Sequence, residues 1–192
     1  MDRQIVAAIA ARRARRALSN RPINQESIDT LFLAAHWSPS CSNNQPWRFV
    51  AVSHPETLAQ VKEHLTRGNY WAAPSPLIIA VVSRSDLDCE IPDGRRYYQF
   101  GCGMAAMSLM VQATELGLIA HPIAGFKQVA IKNILGVPDS YELITLIIVG
   151  HPSDDITNLS EKHQAEEVSE RVRRPLDEVI CWNRWDLPAN QA

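Results

Sequence analysis

One stretch decides how this chain folds and what it can hold: Ser38-Pro39-Ser40-Cys41-Ser42-Asn43-Asn44-Gln45-Pro46-Trp47-Arg48-Phe49. Hydroxyl and amide side chains bond to neighbouring backbone groups, so this composition predicts an ordered loop and not a helix. Prolines at both ends stiffen the loop, and Trp47 with Phe49 can anchor its exit in a core. The loop therefore presents uncharged donors and acceptors, which suit a flat polar heterocycle better than a metal ion.

The composition bounds the class of protein. With 192 residues, 46% hydrophobic and 21% charged, the sequence predicts one globular domain over residues 1–192, with a polar surface segment at 151–170 and a tail at 171–192. The net charge of −2 argues against nucleic acid and anionic membranes as partners. The apolar run near the N-terminus is short and ends in arginines, and no segment approaches membrane-spanning length. We expect a cytoplasmic protein that binds no membrane.

The cysteines and histidines show no ligand-like spacing. The four cysteines, at positions 41, 89, 102 and 181, favour reduced thiols, and the six histidines give no reason to expect a metal. Cys41 lies in the polar loop and is either a nucleophile or an inert small residue. His121 is either catalytic or an ordinary core histidine.

The N-terminal region contains a cluster of arginines. Residues 3–18 predict a helix, and Arg12, Arg15 and Arg16 would share one of its faces. Two interpretations remain open: a solvated, charged helix end, or a phosphate site that uses bidentate guanidinium contacts. The negative net charge disfavours a third, nucleic-acid binding.

Hydrophobic periodicity places the remaining elements. Helices are predicted near residues 25–36, 55–65, 97–118 and 128–135, the third being apolar nearly all round. Strands are predicted near residues 47–53, 77–82, 118–122 and 143–149, of which the second and fourth are continuous apolar runs typical of central strands.

Standard catalytic signatures are absent from the sequence. It contains no Gly-Lys-Ser/Thr phosphate loop, no GxGxxG after a strand and no GxSxG elbow. A site without an obvious acid, base or nucleophile indicates that a bound cofactor does the difficult chemistry.

Several motifs in order resemble the nitroreductase family of FMN-dependent oxidoreductases. They are Arg12-Arg13-x-x-Arg16, then Pro39-Ser40-x-x-Asn43-x-Gln45-Pro46-Trp47-x-Phe49, then Gly125-Phe126, and finally Val149-Gly150-x-Pro152. The resemblance implies an α+β sandwich, with a mostly antiparallel central sheet flanked by helices, assembled as an intertwined homodimer with FMN at the interface. It also implies that the Pro-Ser-x-x-Asn loop reaches the flavin of the partner subunit.

The resemblance assigns FMN-binding roles residue by residue. Arginines near N1 and the C2 carbonyl would stabilise the anionic reduced flavin, and the backbone N–H of Gly125 would point at flavin N5. The residues with matched positions are Arg12, Arg13, Arg16, Pro39, Ser40, Cys41, Asn43, Gln45, Asn69, Gly125, Arg171 and Arg173. The late basic pair could also align through Arg174, and Ala14 replaces the family's usual Ser or Thr. No residue is assigned a catalytic role, because N5 carries the hydride.

The family's chemistry implies hydride transfer from NADH or NADPH through the flavin to a nitroaromatic, a quinone or another electron-poor acceptor. Three alternatives stay open: different flavin chemistry such as dehalogenation or heterocycle oxidation, an FMN sensor or storage protein without fast turnover, and an arginine-mediated nucleic-acid binder.

Overall fold

The sheet of this protein is antiparallel throughout the part of the chain that the computed structural model describes, residues 5–187. Its strand order is β1-β2-β4-β3. The strands are β1 (Arg48–Val52), β2 (Leu77–Ser83), β3 (Ile119–Ile123) and β4 (Glu142–Gly150). The helices are α1 (Ala7–Ala11), α2 (Gln25–His36), α3 (Pro55–Glu63), α4 (Tyr97–Glu115), α5 (Gln128–Leu135) and α6 (Glu161–Val168). This is the predicted α+β sandwich.

Two hydrophobic cores cover the two faces of the sheet. All seven residues of β2 are buried, because helices pack on both sides of it. Ile78, Ala80 and Val82 face a core shared with α3 and α5, whereas Leu77, Ile79 and Val81 face a core shared with α2 and α4. The period-2 alternation of a strand explains this division.

Local chemistry fixes the helix ends that the sequence predicts best. The Asn24 side chain accepts a 2.7 Å hydrogen bond from the Ser27 N–H and so caps α2. Gly136 ends α5 with φ of 65°, the left-handed conformation that glycine adopts without a Cβ penalty. Both helices span the predicted residues, and α4 ends only a few residues before the predicted boundary.

The predicted helix over residues 3–18 is wrong beyond Ala11. The chain turns at Arg12, with φ of −54° and ψ of 125°, and then runs extended until Leu18 bridges to Pro152. Long-range backbone hydrogen bonds hold this course: the Ser19 N–H donates to the His151 carbonyl at 3.0 Å. Tertiary contacts therefore override the helix propensity of an Ala- and Arg-rich sequence. Residues 3 and 4 lie outside the described part of the chain.

The segment 151–170 is more than a polar surface. It forms α6, whose Ser160 caps the helix by accepting from the His163 N–H, and it buries Glu167 to 6% exposure. Within residues 5–187, no helix is both long and apolar enough to cross a membrane.

Candidate functional site

The loop from residue 38 to residue 47 is ordered by its own polar side chains. Ser42, Asn43 and Gln45 all adopt positive φ values, of 48°, 56° and 51°. The Ser40 hydroxyl accepts from the Gln45 N–H at 2.9 Å, and the Gln45 amide donates to the Asn43 carbonyl at 2.9 Å. Asn43 remains exposed, so the loop presents that amide outward.

The exit of the loop is anchored in the α4 core. Trp47 is buried, and the Ser83 hydroxyl donates to the Pro46 carbonyl at 2.7 Å. Gly101 lies so close to Pro46 that a Cβ at this position would be 3.2 Å from the proline ring. Trp47 is thus anchored as the sequence predicts, and α4 supplies the surface against which the exit of the loop packs.

The expectation of four reduced thiols is wrong for two of them. Cys41 and Cys89 form a disulfide across 48 residues, whereas Cys102 and Cys181 are free. The spacing of the cysteines along the sequence could not show this pairing. The two residues meet only because the segment 84–96 folds back onto the loop. As a disulfide sulfur, Cys41 is no free nucleophile.

A second part of the site forms around Gly125, directly after β3. The Gly125 carbonyl accepts from the Thr66 N–H at 2.9 Å and from the Asn69 side-chain amide at 2.8 Å. A Cβ on Gly125 would lie 2.3 Å from the Thr66 hydroxyl and 2.7 Å from the Asn69 amide nitrogen. Any larger residue at position 125 would displace the Thr66 hydroxyl and the Asn69 amide. The Asn69–Gly125 hydrogen bond joins two predicted site residues that lie 56 positions apart in the sequence.

A third part consists of guanidinium groups. Arg171 donates to the Arg12 carbonyl, and the pKa of Arg12 is lowered by burial, by the charge of Arg171 and by the charge of Arg173. Among residues 5–187, no carboxylate pairs with any of these three side chains. Clustered guanidiniums without a paired carboxylate have the chemistry to bind an anion such as phosphate.

The other N-terminal arginines are held by α6. Glu167 accepts from the Arg15 Nε at 2.8 Å, from the Arg16 N–H at 2.9 Å and from the Ala17 N–H at 3.4 Å. The Arg16 guanidinium pairs with Glu166 at 2.7 Å. Because the segment is extended, the predicted helical face shared by Arg12, Arg15 and Arg16 is absent.

Arg13 lies apart from the Arg12 cluster. It lines a cavity of about 400 Å³ together with Arg15, Thr114 and Gly117. Among the predicted phosphate ligands, the structure therefore brings together Arg12, Arg171 and Arg173 and leaves Arg13 and Arg16 in other surroundings.

His121 is an ordinary buried histidine. Its Nδ1 is 3.1 Å from the Arg15 carbonyl, and its ring packs on Trp71 with centroids 4.5 Å apart. Burial is the main cause that lowers the pKa of His121, so the neutral ring donates its Nδ1–H to the carbonyl. Of the two interpretations, the geometry favours the structural one.

The loop and the Gly125 corner lie at the same end of the sheet but on opposite edges. Arg48 begins β1 opposite the end of β2, and Ile123 ends β3 opposite the middle of β4. Three interstrand spacings of about 4.8 Å separate the edge strands by about 14 Å. Within a single chain, the loop and the Gly125 corner are therefore separate.

A cavity of about 940 Å³ opens at the other end of the sheet. The Lys62 ammonium lies in its wall, donates to the Ala73 and Ser75 carbonyls at 2.7 Å each, and has a pKa lowered by burial. Gly125, Asn69 and the 38–47 loop do not line this cavity. It is not the candidate site.

Comparison with known proteins identifies the family. The nitroreductase family model matches residues 9–69 and 59–151, so the chain belongs to the nitroreductase family, as the sequence predicts. It is an oxidoreductase of the nitroreductase type.

Relatives and solved structures agree with this assignment. A solved structure described as an oxidoreductase containing FMN is 30% identical, with a TM-score of 0.85 over 98% of this chain and 96% of its own. An iodotyrosine deiodinase of Haliscomenobacter hydrossis is 28% identical over 185 residues, covering 80% of this chain and 82% of the relative. An Archaeoglobus fulgidus protein provisionally named NADH dehydrogenase/NAD(P)H nitroreductase is 26% identical, covering 77% of this chain and 84% of the relative. The sandwich prediction is thereby confirmed.

The sequence did not point to Glu167, Thr66 or Cys89. Glu167 belongs to a polar stretch that is typical of a solvated surface. The sequence around Thr66 does not distinguish it from other threonines in loops. One signal in the sequence was chemical: the clustered arginines need acceptors, and Glu166 and Glu167 supply them for Arg15 and Arg16.

Proposed function

We propose that the protein binds FMN and transfers hydride from NADH or NADPH through flavin N5 to a nitroaromatic, a quinone or another electron-poor acceptor. The observation that carries this proposal is the cluster of Arg12, Arg171 and Arg173, whose three positive charges lack a counter-charge within the described chain. A phosphate monoester such as that of FMN supplies the missing charge.

The donor set fits the proposed cofactor. The guanidinium cluster would hold the phosphate, and the fixed Asn69–Gly125 corner would present backbone and amide groups to the ring edge. Pro39, Ser40, Asn43 and Gln45 would contact the ring or the ribityl chain, with Cys41 as a wall. When bound, FMN supplies the two-electron chemistry that the side chains lack.

The protein's own residues would bind FMN, orient its ring and shield it from water. The loop is stiffened by the Ser40 and Gln45 hydrogen bonds, so it loses little freedom on binding. The lack of a side chain on Gly125 lets Thr66 and Asn69 pack directly against its backbone, which fixes the Asn69 amide at the corner. Hydride transfer of this kind needs no protein acid or base, which agrees with the structural role of His121.

A homodimer belongs to the proposal. The two groups of residues lie on opposite edges of the sheet, and a two-fold axis could place the loop of one protomer beside the corner of its partner. Trp37, next to the loop, is 82% exposed, and Phe100 on α4 is 57% exposed. These apolar surfaces support burial between protomers. A cytoplasmic location is also proposed, because NAD(P)H is supplied there.

The test is the absorption spectrum of the purified protein. We expect a yellow protein with flavin bands that NADH or NADPH bleaches under nitrogen, and reoxidation by a nitroaromatic or a quinone. A colourless protein that fails to take up added FMN would overturn the proposal.

A second candidate is reductive dehalogenation, which the similarity to the Haliscomenobacter deiodinase favours. Both candidates require FMN but differ in the acceptor. Steady-state NAD(P)H oxidation with nitroaromatics and no halide release from iodotyrosine supports the first. Halide release with poor nitroaromatic turnover supports the second.

A further inference from the structure

The Cys41–Cys89 disulfide joins two segments of the proposed flavin site. Cys41 lies in the 38–47 loop, and Cys89 lies in the 84–96 segment that precedes α4. Their Cα atoms are 6.1 Å apart, and both residues are half-buried. A small thiol can therefore reach the bond.

Few other contacts tie the tip of the loop to this segment. The Asn44 amide is 3.4 Å from Asp88 Oδ1 and 3.4 Å from Cys89 Sγ, and the Ser42 hydroxyl is 3.7 Å from the same sulfur. These are long, exposed contacts, which are weak individually. The disulfide is the strongest connection at the tip.

The backbone of the loop needs such a restraint. Ser42, Asn43 and Gln45 hold left-handed conformations that non-glycine residues adopt only when their surroundings enforce them. Loss of the covalent link would release the tip to conformations with lower backbone strain. Two internal hydrogen bonds of 2.9 Å, from the Gln45 N–H and the Gln45 amide, also hold this backbone, and the disulfide adds the covalent restraint that ties the tip to the 84–96 segment.

We propose that Cys41–Cys89 is a reversible thiol–disulfide exchange site whose co-substrate is a low-molecular-weight thiol or dithiol, and that its reduction loosens the tip of the loop. The resulting loss of FMN affinity rests on the proposed function. Disulfides in reducing compartments are mostly catalytic or redox-sensing, which agrees with a regulatory use.

The exchange chemistry has a preferred direction. A thiolate of the reductant attacks Cys41 Sγ, the S–S bond breaks, and Cys89 leaves as a thiolate that accepts hydrogen bonds from the Asn44 amide and the Ser42 hydroxyl. Such bonds favour the leaving group. A second thiol then attacks the reductant's sulfur in the mixed disulfide and releases Cys41. Two thiols become one disulfide, and their two protons pass to the two cysteine sulfurs.

The first test is a thiol count that does not depend on FMN. The full chain is equilibrated in graded ratios of reduced to oxidised dithiothreitol, labelled with N-ethylmaleimide and analysed by peptide mass spectrometry. We expect Cys41 and Cys89 to gain label together and to lose it on reoxidation. Labelling of either residue before any reductant is added would overturn the proposal.

The second test measures the loop itself. In the apo protein, amide hydrogen exchange over residues 38–49 should rise about tenfold on reduction, a factor that corresponds to about 1.4 kcal/mol. The variants Cys41→Ser and Cys89→Ser should show the same rise without reductant, and Cys181→Ser is the control for a thiol outside the loop. Equal exchange in the oxidised and reduced wild type would overturn the proposal, whether or not the variants fold.

The third test separates this inference from the proposed function. FMN affinity should fall about tenfold on reduction and recover on reoxidation. Tight FMN binding that is equal in both states would overturn the inference and leave the proposed function intact. Absence of FMN binding in both states would overturn the proposed function and the coupling to flavin, whereas the exchange data would still decide the redox control of the loop.

Discussion

The buried carboxylate of Glu167 should determine the course of the arginine-bearing segment. Glu167→Ala removes the acceptor for three donors: the Arg15 guanidinium and the N–H groups of Arg16 and Ala17. Residues 15–17 would then lose their contacts with α6, whereas the backbone bonds of Ala17 and Ser19 with the chain after β4 would remain. The variant therefore tests why the predicted helix does not form.

The expected loss of stability follows from these contacts. Each backbone N–H left buried without an acceptor costs about 1–3 kcal/mol. The Arg15 side chain is 36% exposed, so its ion pair with Glu167 contributes only about 0–1 kcal/mol. The Arg16 N–H is only partly buried and the Ala17 bond is long, so the cost lies in the lower part of the summed range. We expect Glu167→Ala to lower the free energy of unfolding by about 2–4 kcal/mol, which for a chain of this size lowers Tm by about 5–15 °C.

The adjacent glutamate provides a matched control. Glu166 lies on the same helix, but its side chain is 40% exposed and it forms exposed ion pairs with Arg16 and Lys162. Glu166→Ala should cost less than about 1 kcal/mol. Urea unfolding of both variants measures the difference, and hydrogen exchange at Arg16 and Ala17 localises it. If the two variants unfold within about 0.5 kcal/mol of each other, the reasoning about unsatisfied donors is refuted.

Three further predictions concern the site and its surroundings. Gly125→Ala should lower the free energy of unfolding in urea by about 1–3 kcal/mol, because its Cβ overlaps packed atoms. Gly68→Ala is the control and should be nearly neutral, because nothing lies within 4 Å of the new Cβ. Equal costs for the two variants would contradict the packing argument. His121 has a pKa lowered mainly by burial, so its contribution to stability is present above the unfolded pKa of about 6.5 and lost as pH falls through the folded pKa. His121→Asn should flatten the fall of the urea midpoint below about pH 6.5, and an unchanged slope would exclude His121 as its source. Arg173→Gln should weaken binding of FMN by about 1–2 kcal/mol and move the pKa of Arg12 upward by removing a like charge; unchanged FMN affinity in equilibrium titration would remove Arg173 from the phosphate site.

Elements governed by local sequence were predictable. α2 carries its own cap in Asn24, and α5 carries its own end signal in Gly136, so both boundaries follow from neighbouring residues. The runs that form β2 and β4 are apolar without alternation because both faces of the sheet are covered. In these cases propensity, pattern and packing agree.

Elements governed by distant partners were not predictable from pattern. The Arg12–Leu18 segment has helix-forming residues, but its donors meet a carboxylate that is about 150 positions away in the sequence. The Cys41–Cys89 pairing likewise depends on how the 84–96 segment folds back over the loop. Neither pairing can be identified from the spacing or the hydropathy of the residues involved.

The candidate site was predictable as a set of residues but not as an arrangement. Motif order supplied Asn69 and Gly125, and the structure shows that they touch through the Gly125 carbonyl. The same motifs gave Arg12 and Arg16 one common role, yet the extended backbone sends Arg12 toward Arg171 and Arg16 toward Glu166. A residue's type can indicate its chemistry, but its direction depends on the backbone conformation.

The division of the site explains why its parts are so differently built. The Gly125 corner is held by several long-range contacts on the β3 side: its carbonyl accepts from Thr66 and Asn69, and the neighbouring Phe126 bridges to Leu65. The loop on the β1 side is ordered by its internal hydrogen bonds, and one disulfide with a few long hydrogen bonds ties its tip to the 84–96 segment. In the proposed dimer, the corner would fix the position of the flavin, and the partner's loop would close over it. The Gly125 corner would then determine where the cofactor binds, and the loop with its disulfide would determine how tightly the cofactor is bound.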